Sequence, residues 1–510
     1  MVLASIPSAT LIGASGHPVT VEVHVGAGLP GYRLVGMPDA ACRESRDRVR
    51  AAIMSSGLTW PGNCITVNLA PSGWRKTGAG LDLAIALGVL VASEAMPAEA
   101  VAGYGFVGEL GLDGTLRRVP GAAPMVAVLG DVTAVVPVGC RAEAAVATCG
   151  EVRVASTLAE VHAALTTHAP WPDVPDDAVL AEVVPPPDLA DVRGQPVARQ
   201  ALEIAAAGGH HLLMVGAPGS GKTMLAQRLT GLLPALAPAD ALAATMVHSA
   251  AAVAMPGGGL VTNPPFRAPH HTSSVVAVVG GGSATLRPGE ISLAHGGVLF
   301  LDELGQFAPS VLDALREPLE EGVIRVARAA VRAVLPARFL LVAATNPCPC
   351  GGGAPGSCEC DEVARSRYVR RLSGPLLDRF DLRVAIQRPT VDDLLDPGGG
   401  EPSELVAARV AQARRLAIDR AGRLNADLHG DLLDEAAPLS VDARDVLRSE
   451  IERDRLTGRG YHRIRRVART IADLRPGPDG SPPAVLDVEH VSIALSLRTR
   501  LRSAAPGLVA

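Results

Sequence analysis

A glycine-rich segment in the middle of the chain constrains the fold more than any other feature. It follows the pattern Gly, four residues, Gly-Lys-Thr, which is specific for phosphate-binding loops. An apolar run at 212–215 precedes it and an apolar-periodic run follows it, so the segment lies where a buried strand turns into a helix. Such a turn aims backbone N–H groups at the phosphates of ATP. The residues predicted to bind the nucleotide are Gly216, Ala217, Pro218, Gly219, Ser220, Gly221, Lys222 and Thr223.

A second apolar run, at 298–301, ends in two acidic residues, Asp302 and Glu303. Ligands of parallel α/β sheets collect at the carboxyl ends of the strands, so both carboxylates are predicted to lie near the phosphates. We expect the Thr223 hydroxyl and Asp302 to hold Mg²⁺, and Glu303 to polarise the attacking water. The acidic pair therefore favours ATP hydrolysis over nucleotide binding alone.

Composition and charge limit the remaining possibilities. The chain has 510 residues, of which 48% are hydrophobic, and a formal net charge of −5. Its length corresponds to about three domains of roughly 150 residues each. The negative charge excludes a globally basic surface, so a DNA-binding site would have to be a local patch. Apolar stretches too short for a bilayer, and the lack of a basic signal-peptide start, predict a cytoplasmic protein with no membrane partner.

Strand-like and helical runs divide the chain into α/β domains and a helical end. Residues 1–165 alternate strands with helices and predict an α/β domain. Residues 166–187 contain six prolines and predict a semi-rigid linker. Residues 188–395 hold the phosphate loop and the acidic strand, which predicts a P-loop α/β core. Residues 396–510 begin with a glycine-rich joint and continue as helical runs, which predicts a helical lid.

Four of the eight cysteines lie close together in the sequence. In a reducing compartment such a cluster favours a metal site over disulfides. Four thiolates can form a tetrahedral Zn²⁺ site, although the single-residue spacing within each pair is tighter than usual in zinc fingers. Free or redox-active thiols are the alternative. The candidate zinc ligands are Cys348, Cys350, Cys358 and Cys360.

Three N-terminal segments resemble the YifB/ComM family of magnesium-chelatase-like AAA+ ATPases. They are residues 28–30 (Gly-Leu-Pro), 35–40 (Val-Gly-Met-Pro-Asp-Ala) and 44–50 (Glu-Ser-Arg-Asp-Arg-Val-Arg). In that family the N-terminal domain resembles the Lon protease domain. Its nucleophilic serine would align with Gly80 and its partner lysine with Ala123. A Ser–Lys dyad needs both members, so we expect a Lon-like fold without peptidase activity.

The resemblance also implies roles for two polar residues beyond the phosphate loop. Asn346 follows the apolar run 340–345 and matches the sensor-1 position, where its amide would bind the attacking water or the γ-phosphate. Arg459 best matches the sensor-2 arginine of the lid, with Arg463 as the second choice. A lid arginine that touches the nucleotide would couple hydrolysis to domain rotation.

Arg379 lies in a segment similar to the arginine finger of the chelatase and MCM branch of AAA+ proteins. A finger of this kind reaches the γ-phosphate of a neighbouring subunit, so the resemblance implies a homo-oligomeric ring, which we expect to be a hexamer. A structural ion pair with Asp378 or Asp381 is the alternative role for Arg379.

A hairpin between the acidic strand and the next strand is the candidate contact with DNA. In DNA-translocating relatives such a hairpin projects into the pore of the ring. Residues 317–339 predict a helix end followed by this hairpin, and the alternative role of its arginines is a solvated face. The candidate DNA-contacting residues are Arg325, Arg328 and Arg332.

Two adjacent histidines, His270 and His271, lie in a segment that resembles an insertion of the same family. A metal site is disfavoured, because adjacent side chains point in different directions and no carboxylate lies at ligand spacing. Packing within a loop, or contact with a nucleic-acid phosphate, are the other roles open to them.

Together these residues predict a ring-forming AAA+ ATPase that couples ATP hydrolysis to DNA remodelling. The resemblance implies helicase-type branch migration in recombination or natural transformation. A chelatase-like motor that remodels a protein partner is the alternative, and it would use the same nucleotide-binding residues. Gly80 and Ala123 disfavour an ATP-dependent protease, and Glu303 and Arg379 disfavour a nucleotide sensor without turnover.

Overall fold

The computed structural model describes most of the chain, in twelve segments. They are residues 3–148, 150–172, 185–256, 258–282, 286–328, 331–352, 358–361, 363–364, 367–368, 374–395, 400–477 and 480–498. Part of the predicted linker, residues 173–184, lies outside the described residues. None of the helices among the described residues combines the length and the apolar character needed to cross a bilayer.

The N-terminal part begins with a long antiparallel hairpin. Its strands are β1 (Leu3–Ile12), β2 (Ser15–Gly26), β3 (Gly31–Val35), β4 (Cys64–Ala70), β5 (Tyr104–Phe106), β6 (Glu109–Leu110), β7 (Leu116–Arg117), β8 (Thr133–Pro137) and β9 (Val152–Ala155). Its helices are α1 (Ala40–Arg43), α2 (Ser45–Ser55), α3 (Asp82–Ala92), α4 (Ala122–Ala127), α5 (Arg141–Ala145) and α6 (Leu158–Thr166). The main sheet has the order β1-β2-β4-β3. The α3 helix is buried along its whole length and packs on β1 and β2, which explains its continuous apolar sequence.

The central part is a P-loop core built on a parallel sheet. Its strands are β10 (Leu212–Gly216), β11 (Phe266–Arg267), β12 (Gly280–Gly281), β13 (Arg287–Pro288), β14 (Val298–Leu301), β15 (Val323–Arg328), β16 (Val331–Pro336), β17 (Leu340–Thr345) and β18 (Leu382–Ile386). Five of them form one sheet in the order β11-β14-β17-β10-β18, with every pair parallel. The three inner strands are buried on both faces, as their unbroken apolar runs predict.

Helices flank this sheet and form most of the C-terminal part. The central helices are α7 (Pro196–Gly208), α8 (Lys222–Arg228), α9 (Pro238–Ala250), α10 (Val275–Val279), α11 (Glu290–Leu293), α12 (Pro309–Ala314), α13 (Arg316–Glu321), α14 (Gly374–Leu377) and α15 (Val391–Leu395). The C-terminal helices are α16 (Ser403–Ala421), α17 (Gly430–Ala436), α18 (Val441–Glu452), α19 (Gly458–Leu474) and α20 (Val488–Ser496). The predicted α/β class with a helical C-terminal region is confirmed. The domain boundaries and the Lon-like character of the N-terminal part stay predictions.

The N-terminal part packs directly on the core through the start of α4. The backbone N–H of Gly121 donates to the carbonyl of Ser249 at 2.9 Å, and the N–H of Ala123 donates to the Ser249 hydroxyl at 3.2 Å. The side chain of Met125 fills the space beside Gly80, where a Cβ would lie 3.7 Å from the methionine sulfur. Of the two positions aligned with the Lon dyad, Ala123 therefore contacts the core, and Gly80 lies against Met125 within the N-terminal part.

Candidate ATP site and its surroundings

The phosphate loop lies at the carboxyl end of β10, where the strand turns into α8. Gly219 (φ 74°) and Gly221 (φ 87°) adopt left-handed backbone conformations, which are sterically unfavourable for residues that have a Cβ. The Lys222 amine donates to the carbonyls of Gly216 at 2.8 Å and Ala217 at 2.9 Å. Burial lowers the pKa of Lys222. The amine therefore lies within the loop, where a phosphate oxygen would exchange for these carbonyls.

The two predicted magnesium ligands are in direct contact. The Thr223 hydroxyl donates to Oδ2 of Asp302 at 2.7 Å, and the other oxygen of Asp302 accepts from the N–H of Glu303 at 2.9 Å. Adjacent ligands of an octahedral Mg²⁺ ion lie about 3 Å apart, because each metal–oxygen bond is about 2.1 Å long. The spacing of the two side-chain oxygens therefore fits a shared Mg²⁺ ion, with water and phosphate oxygens as the other ligands.

Asn346 lies beside the same site, because β17 separates β10 from β14. Its side-chain oxygen is 3.4 Å from the Lys222 amine. The structure thus brings together the three predicted elements of the site, which are the phosphate loop with Thr223, the strand end with Asp302 and Glu303, and the Asn346 amide. Their individual catalytic roles stay predictions.

Glu303 makes a contact that the sequence analysis did not anticipate. Its carboxylate oxygen Oε2 lies 3.5 Å from Nδ1 of His271. The backbone of Glu303 is left-handed (φ 53°, ψ 49°), an uncommon conformation for a residue other than glycine. The parallel pairing of β11 with β14 aligns Phe266 with Val298, and the same offset brings residue 271 beside residue 303. The contact between His271 and Glu303 depends on the register of β11 against β14, and both strands are too short for the sequence to indicate that register.

A cavity of about 660 Å³ opens next to the phosphate loop and was not predicted from the sequence. Gln195 connects the two, since its side-chain amide donates to the carbonyl of Ser220 at 2.9 Å. The cavity lies between the start of α7 and the start of α16, so both core and lid contribute to its wall. Residues that line it include Arg193, Gly194, Val197, Arg199, Asp393 and Glu401.

The four clustered cysteines converge on one point. The Cys348 sulfur lies 3.4 Å from those of Cys350 and Cys358, and the sulfurs of Cys350 and Cys358 are 3.6 Å apart. The Cys360 sulfur accepts from the N–H of Cys350 at 3.4 Å, and all four sulfurs lie within 4.8 Å of one another. A tetrahedral zinc site with Zn–S bonds of about 2.3 Å has S–S distances of about 3.8 Å, so the donor set fits Zn²⁺.

Arg379 lies at the opposite edge of the sheet from the phosphate loop. Residues 381 and 382 follow Arg379 and lead into β18, whose start lies beside the start of β10. The N–H groups of Asp381 and Leu382 both donate to the carbonyl of His211 there. The length of β10 separates this edge from Gly216, a distance on the order of 15 Å. The Arg379 guanidinium pairs with Glu320 of the same chain.

The lid arginines lie at this far edge as well. Arg459 is exposed, and its guanidinium lies 3.9 Å from the carboxylate of Asp378. Arg463 is more buried, and it donates to the carboxylate of Asp381 at 2.6 Å and to the carbonyl of Arg379 at 3.0 Å. Within one chain, the structure therefore does not bring Arg379 or Arg459 to Lys222.

The arginine hairpin is formed by β15 and β16, as the sequence predicted. The Arg325 guanidinium pairs with Glu317 at 3.1 Å and with Glu321, both on α13. Arg332 is exposed on β16, whereas the side chain of Arg328 lies outside the described residues. The two described side chains thus differ in their availability to a phosphate, because the charge of Arg325 is balanced by glutamates of the same chain.

Comparison with known proteins places this geometry in a family. The chain matches the family described as "Magnesium chelatase, subunit ChlI" over residues 188–394, "Subunit ChlI of Mg-chelatase" over 21–138 and "Magnesium chelatase, subunit ChlI C-terminal" over 400–498. An uncharacterised protein of Mycobacterium tuberculosis is 43% identical over 98% of this chain and 99% of its own length. The YifB protein of Escherichia coli is 41% identical, over 98% and 97%. Competence protein ComM of Haemophilus influenzae is 40% identical, over 98% of both chains.

The chain belongs to the YifB/ComM family. The predicted resemblance is thereby confirmed over nearly the full length of the chain. As a magnesium-chelatase-like YifB/ComM protein, the chain is an AAA+-type ATPase, which agrees with the assembled phosphate loop and acidic pair.

Proposed function

We propose that the chain assembles into a ring, hexameric by expectation, that couples ATP hydrolysis to the remodelling of DNA. Its activity would be of the helicase or branch-migration type, in recombination or natural transformation. The observation that carries this proposal is the full-length similarity to a relative named as a competence protein. That similarity includes the N-terminal part, which is joined to the core through Ser249.

The positions of the arginines support action between subunits. Arg379 and Arg459 lie at the sheet edge opposite Lys222, so neither serves the nucleotide of its own chain in this arrangement. A ring that places this edge against the phosphate loop of the next subunit would bring Arg379 to the γ-phosphate there. Release of Glu320 by Arg379 would be part of that assembly.

The residues around the phosphate loop define the proposed hydrolytic step. The cavity beside Gln195 would take the base and the sugar, and Lys222 would bind the β- and γ-phosphates. Thr223 and Asp302 would hold Mg²⁺, which supplies charge neutralisation on the phosphates. Glu303 would accept a proton from the attacking water while Asn346 orients it.

We further propose that the cysteine cluster holds a structural Zn²⁺ ion. The convergence of four sulfurs supports this, because their spacing is close to that of a tetrahedral Zn²⁺ site. The cluster also touches the nucleotide site, since a Cβ added to Gly351 would lie 2.7 Å from Cδ of Pro218. Bound metal would therefore stabilise the wall of the phosphate loop as well as the cluster itself.

A motor that remodels a protein partner is the second candidate. The matches to a magnesium chelatase subunit favour it, because they span all three parts of the chain. Both candidates use the same nucleotide site, so only the substrate separates them.

The deciding experiment measures ATP turnover with and without DNA at low salt. Single-stranded, duplex and forked DNA should each be compared, and at least one should bind and raise turnover. If no DNA structure binds in the presence of ATP and Mg²⁺, the DNA proposal fails and the protein-remodelling candidate takes its place.

A further inference from the structure

The arginine hairpin has one exposed face and one buried face. On β16, Arg332 and Val334 are exposed, whereas Ala333 is half-buried and Leu335 is fully buried. The antiparallel register with β15 sets Ile324 opposite Leu335, and both side chains belong to one hydrophobic cluster of the core. Successive side chains of a strand point to opposite faces, so Ala333 and Leu335 share the face away from Arg332. The packing of this apolar face therefore sets the direction in which Arg332 points.

The turn between β1 and β2 of the N-terminal part lies against this apolar face. Ile12 pairs with Ser15, so the turn consists of Gly13 and Ala14. Ala14 is 9% exposed and lies in the same hydrophobic cluster as Leu335. The tip of the first hairpin of the chain is therefore buried in the core, next to the hairpin that carries the arginines.

The close approach of the two hairpins leaves no room for a side chain at Gly13. Its backbone is left-handed (φ 66°), which a glycine adopts without steric cost. A Cβ at this position would lie 3.0 Å from Cβ of Ala333 and 3.5 Å from Cδ2 of Leu335. It would also lie 3.4 Å from Cδ2 of Leu286, which directly precedes β13. Carbon atoms in contact are normally about 3.5–4.0 Å apart, so the side chain of any other residue would push against Ala333.

The turn is also fastened to the rest of the N-terminal part. Leu11, two residues before Gly13, packs against the cluster that contains Leu335 and against the cluster around α4. The Leu11 carbonyl accepts a hydrogen bond from the Thr77 hydroxyl at 2.8 Å. A Cβ added to Gly121, at the start of α4, would lie 2.6 Å from Cδ2 of Leu11. The turn is therefore a support with fixed neighbours on both sides.

We propose that Gly13 and Ala14 are positioning residues that brace the arginine hairpin from the N-terminal part. Leu335 lies near the base of the hairpin, whereas Ala333 lies two residues closer to its tip. Contact with Gly13 thus supports the hairpin beyond its base and limits the directions open to Arg332.

The brace gives the N-terminal part a role in substrate binding, and this step rests on the proposed function, in which the hairpin contacts DNA. The atoms nearest to a Cβ at Gly13 belong to Ala333, Leu286 and Leu335, whereas other residues are predicted to bind and hydrolyse ATP. A displaced hairpin should therefore weaken the binding of DNA and leave basal ATP hydrolysis unchanged.

The test places a side chain at the turn in the full-length chain. Asparagine tolerates left-handed backbone, so Gly13→Asn should keep the turn while its side chain pushes against the hairpin. Gly57→Asn is the matched control, since Gly57 is also left-handed (φ 75°) and a Cβ there would have no atom of the described residues within 4 Å. Hydrogen exchange is measured without DNA. The amides of β15 and β16 should exchange about two- to tenfold faster in Gly13→Asn, and at the wild-type rate in Gly57→Asn.

DNA binding is the second measurement. The affinity of Gly13→Asn for DNA at low salt should fall by about two- to tenfold, the lower part of the range for residues in contact, while basal kcat and KM for ATP stay unchanged. Ala333→Gly removes the methyl group that the new side chain would meet, so adding it to Gly13→Asn should restore part of the lost affinity. A general loss of stability would instead become worse, because glycine weakens a strand.

Three results would overturn the inference. The first is unchanged exchange of the hairpin amides in a folded Gly13→Asn variant, with Gly13→Ala serving in its place if the asparagine variant does not fold. The second is an equal effect of Gly57→Asn. The third is a DNA affinity that stays at the wild-type value in Gly13→Asn, or that Ala333→Gly does not restore. Failure of the wild type to bind any DNA would end the DNA proposal alone, because hydrogen exchange without DNA still decides whether the turn braces the hairpin.

Discussion

Arg463 of the lid donates a 2.6 Å hydrogen bond to the buried carboxylate of Asp381 in the core. His210, at the start of β10, lies 3.0 Å from the other carboxylate oxygen. Asp381 is 4% exposed, and it lies two residues after Arg379. The C-terminal helices, the strand that leads to the phosphate loop and the segment that carries Arg379 therefore meet at one carboxylate.

Replacement of Asp381 by Ala should destabilise the protein by about 3–5 kcal/mol, since it removes the shared partner of the buried His210 and the half-buried Arg463. Burial alone would raise the pKa of Asp381, but His210 and Arg463 outweigh it and lower the pKa below the usual value. The stabilisation is thus present above about pH 4 and is lost as the pH falls further. Urea unfolding of both proteins between pH 7 and pH 3 should show a gap that narrows below pH 4. A gap that does not change with pH would contradict this account.

Lys222→Ala and Glu303→Gln should separate binding from turnover. Removal of the Lys222 amine should abolish ATP binding, because it is the cation within the phosphate loop. Glu303→Gln should preserve binding and lower turnover by a factor on the order of 10² or more, as for loss of a general base. Equilibrium binding of labelled ATP and steady-state turnover test both. Tight binding by the lysine variant, or near-normal turnover by the glutamine variant, would refute the assignment.

Arg379→Ala should leave ATP affinity nearly intact and lower turnover by about 10³-fold, if the arginine acts on the next subunit. Mixtures of Arg379→Ala and Glu303→Gln subunits should recover activity, because some interfaces then combine an intact finger with an intact carboxylate. Turnover across a range of mixing ratios is the measurement. No recovery in rings shown to be mixed would mean that Arg379 does not act between subunits.

The main elements of the ATP site could be predicted because their signals are local. The glycine spacing before Lys222, and the apolar runs that end at Asp302 and Asn346, each describe a strand end in continuous sequence. Parallel sheets gather such ends at one edge, so their meeting follows from the fold class.

Contacts across the fold could not be predicted in the same way. The pairing of His271 with Glu303 depends on the register of β11, a strand of two residues with no periodic signal of its own. The pairing of Arg379 with Glu320 joins segments that are distant in sequence. Arg463 is the second candidate for the sensor-2 arginine, and the structure shows that it donates to Asp381. This hydrogen bond depends on the burial of Asp381 in the folded chain, which no sequence pattern indicates.

If the cysteine cluster binds zinc, the purified protein should carry about one Zn²⁺ per chain. The double change Cys348→Ser and Cys358→Ser should remove it, whereas Cys64→Ser, outside the cluster, should not. Because Gly351 packs on Pro218, loss of the metal should also raise KM for ATP. Metal analysis of anaerobically purified protein decides the point, and absence of zinc there would exclude the site.

The two described hairpin arginines should contribute unequally to DNA binding. Arg332 is exposed, whereas Arg325 pairs with Glu317 and Glu321. Each phosphate contact adds about 0.7–0.9 to the slope of log K against log salt, because bound counterions are released. Arg332→Ala should therefore flatten the slope by about that amount for one contact, and Arg325→Ala by less, since its charge is already balanced. DNA affinity measured over a series of salt concentrations tests this. Equal effects of the two changes would mean that Arg325 leaves its glutamates when DNA binds. An unchanged slope in Arg332→Ala would mean that Arg332 does not contact DNA.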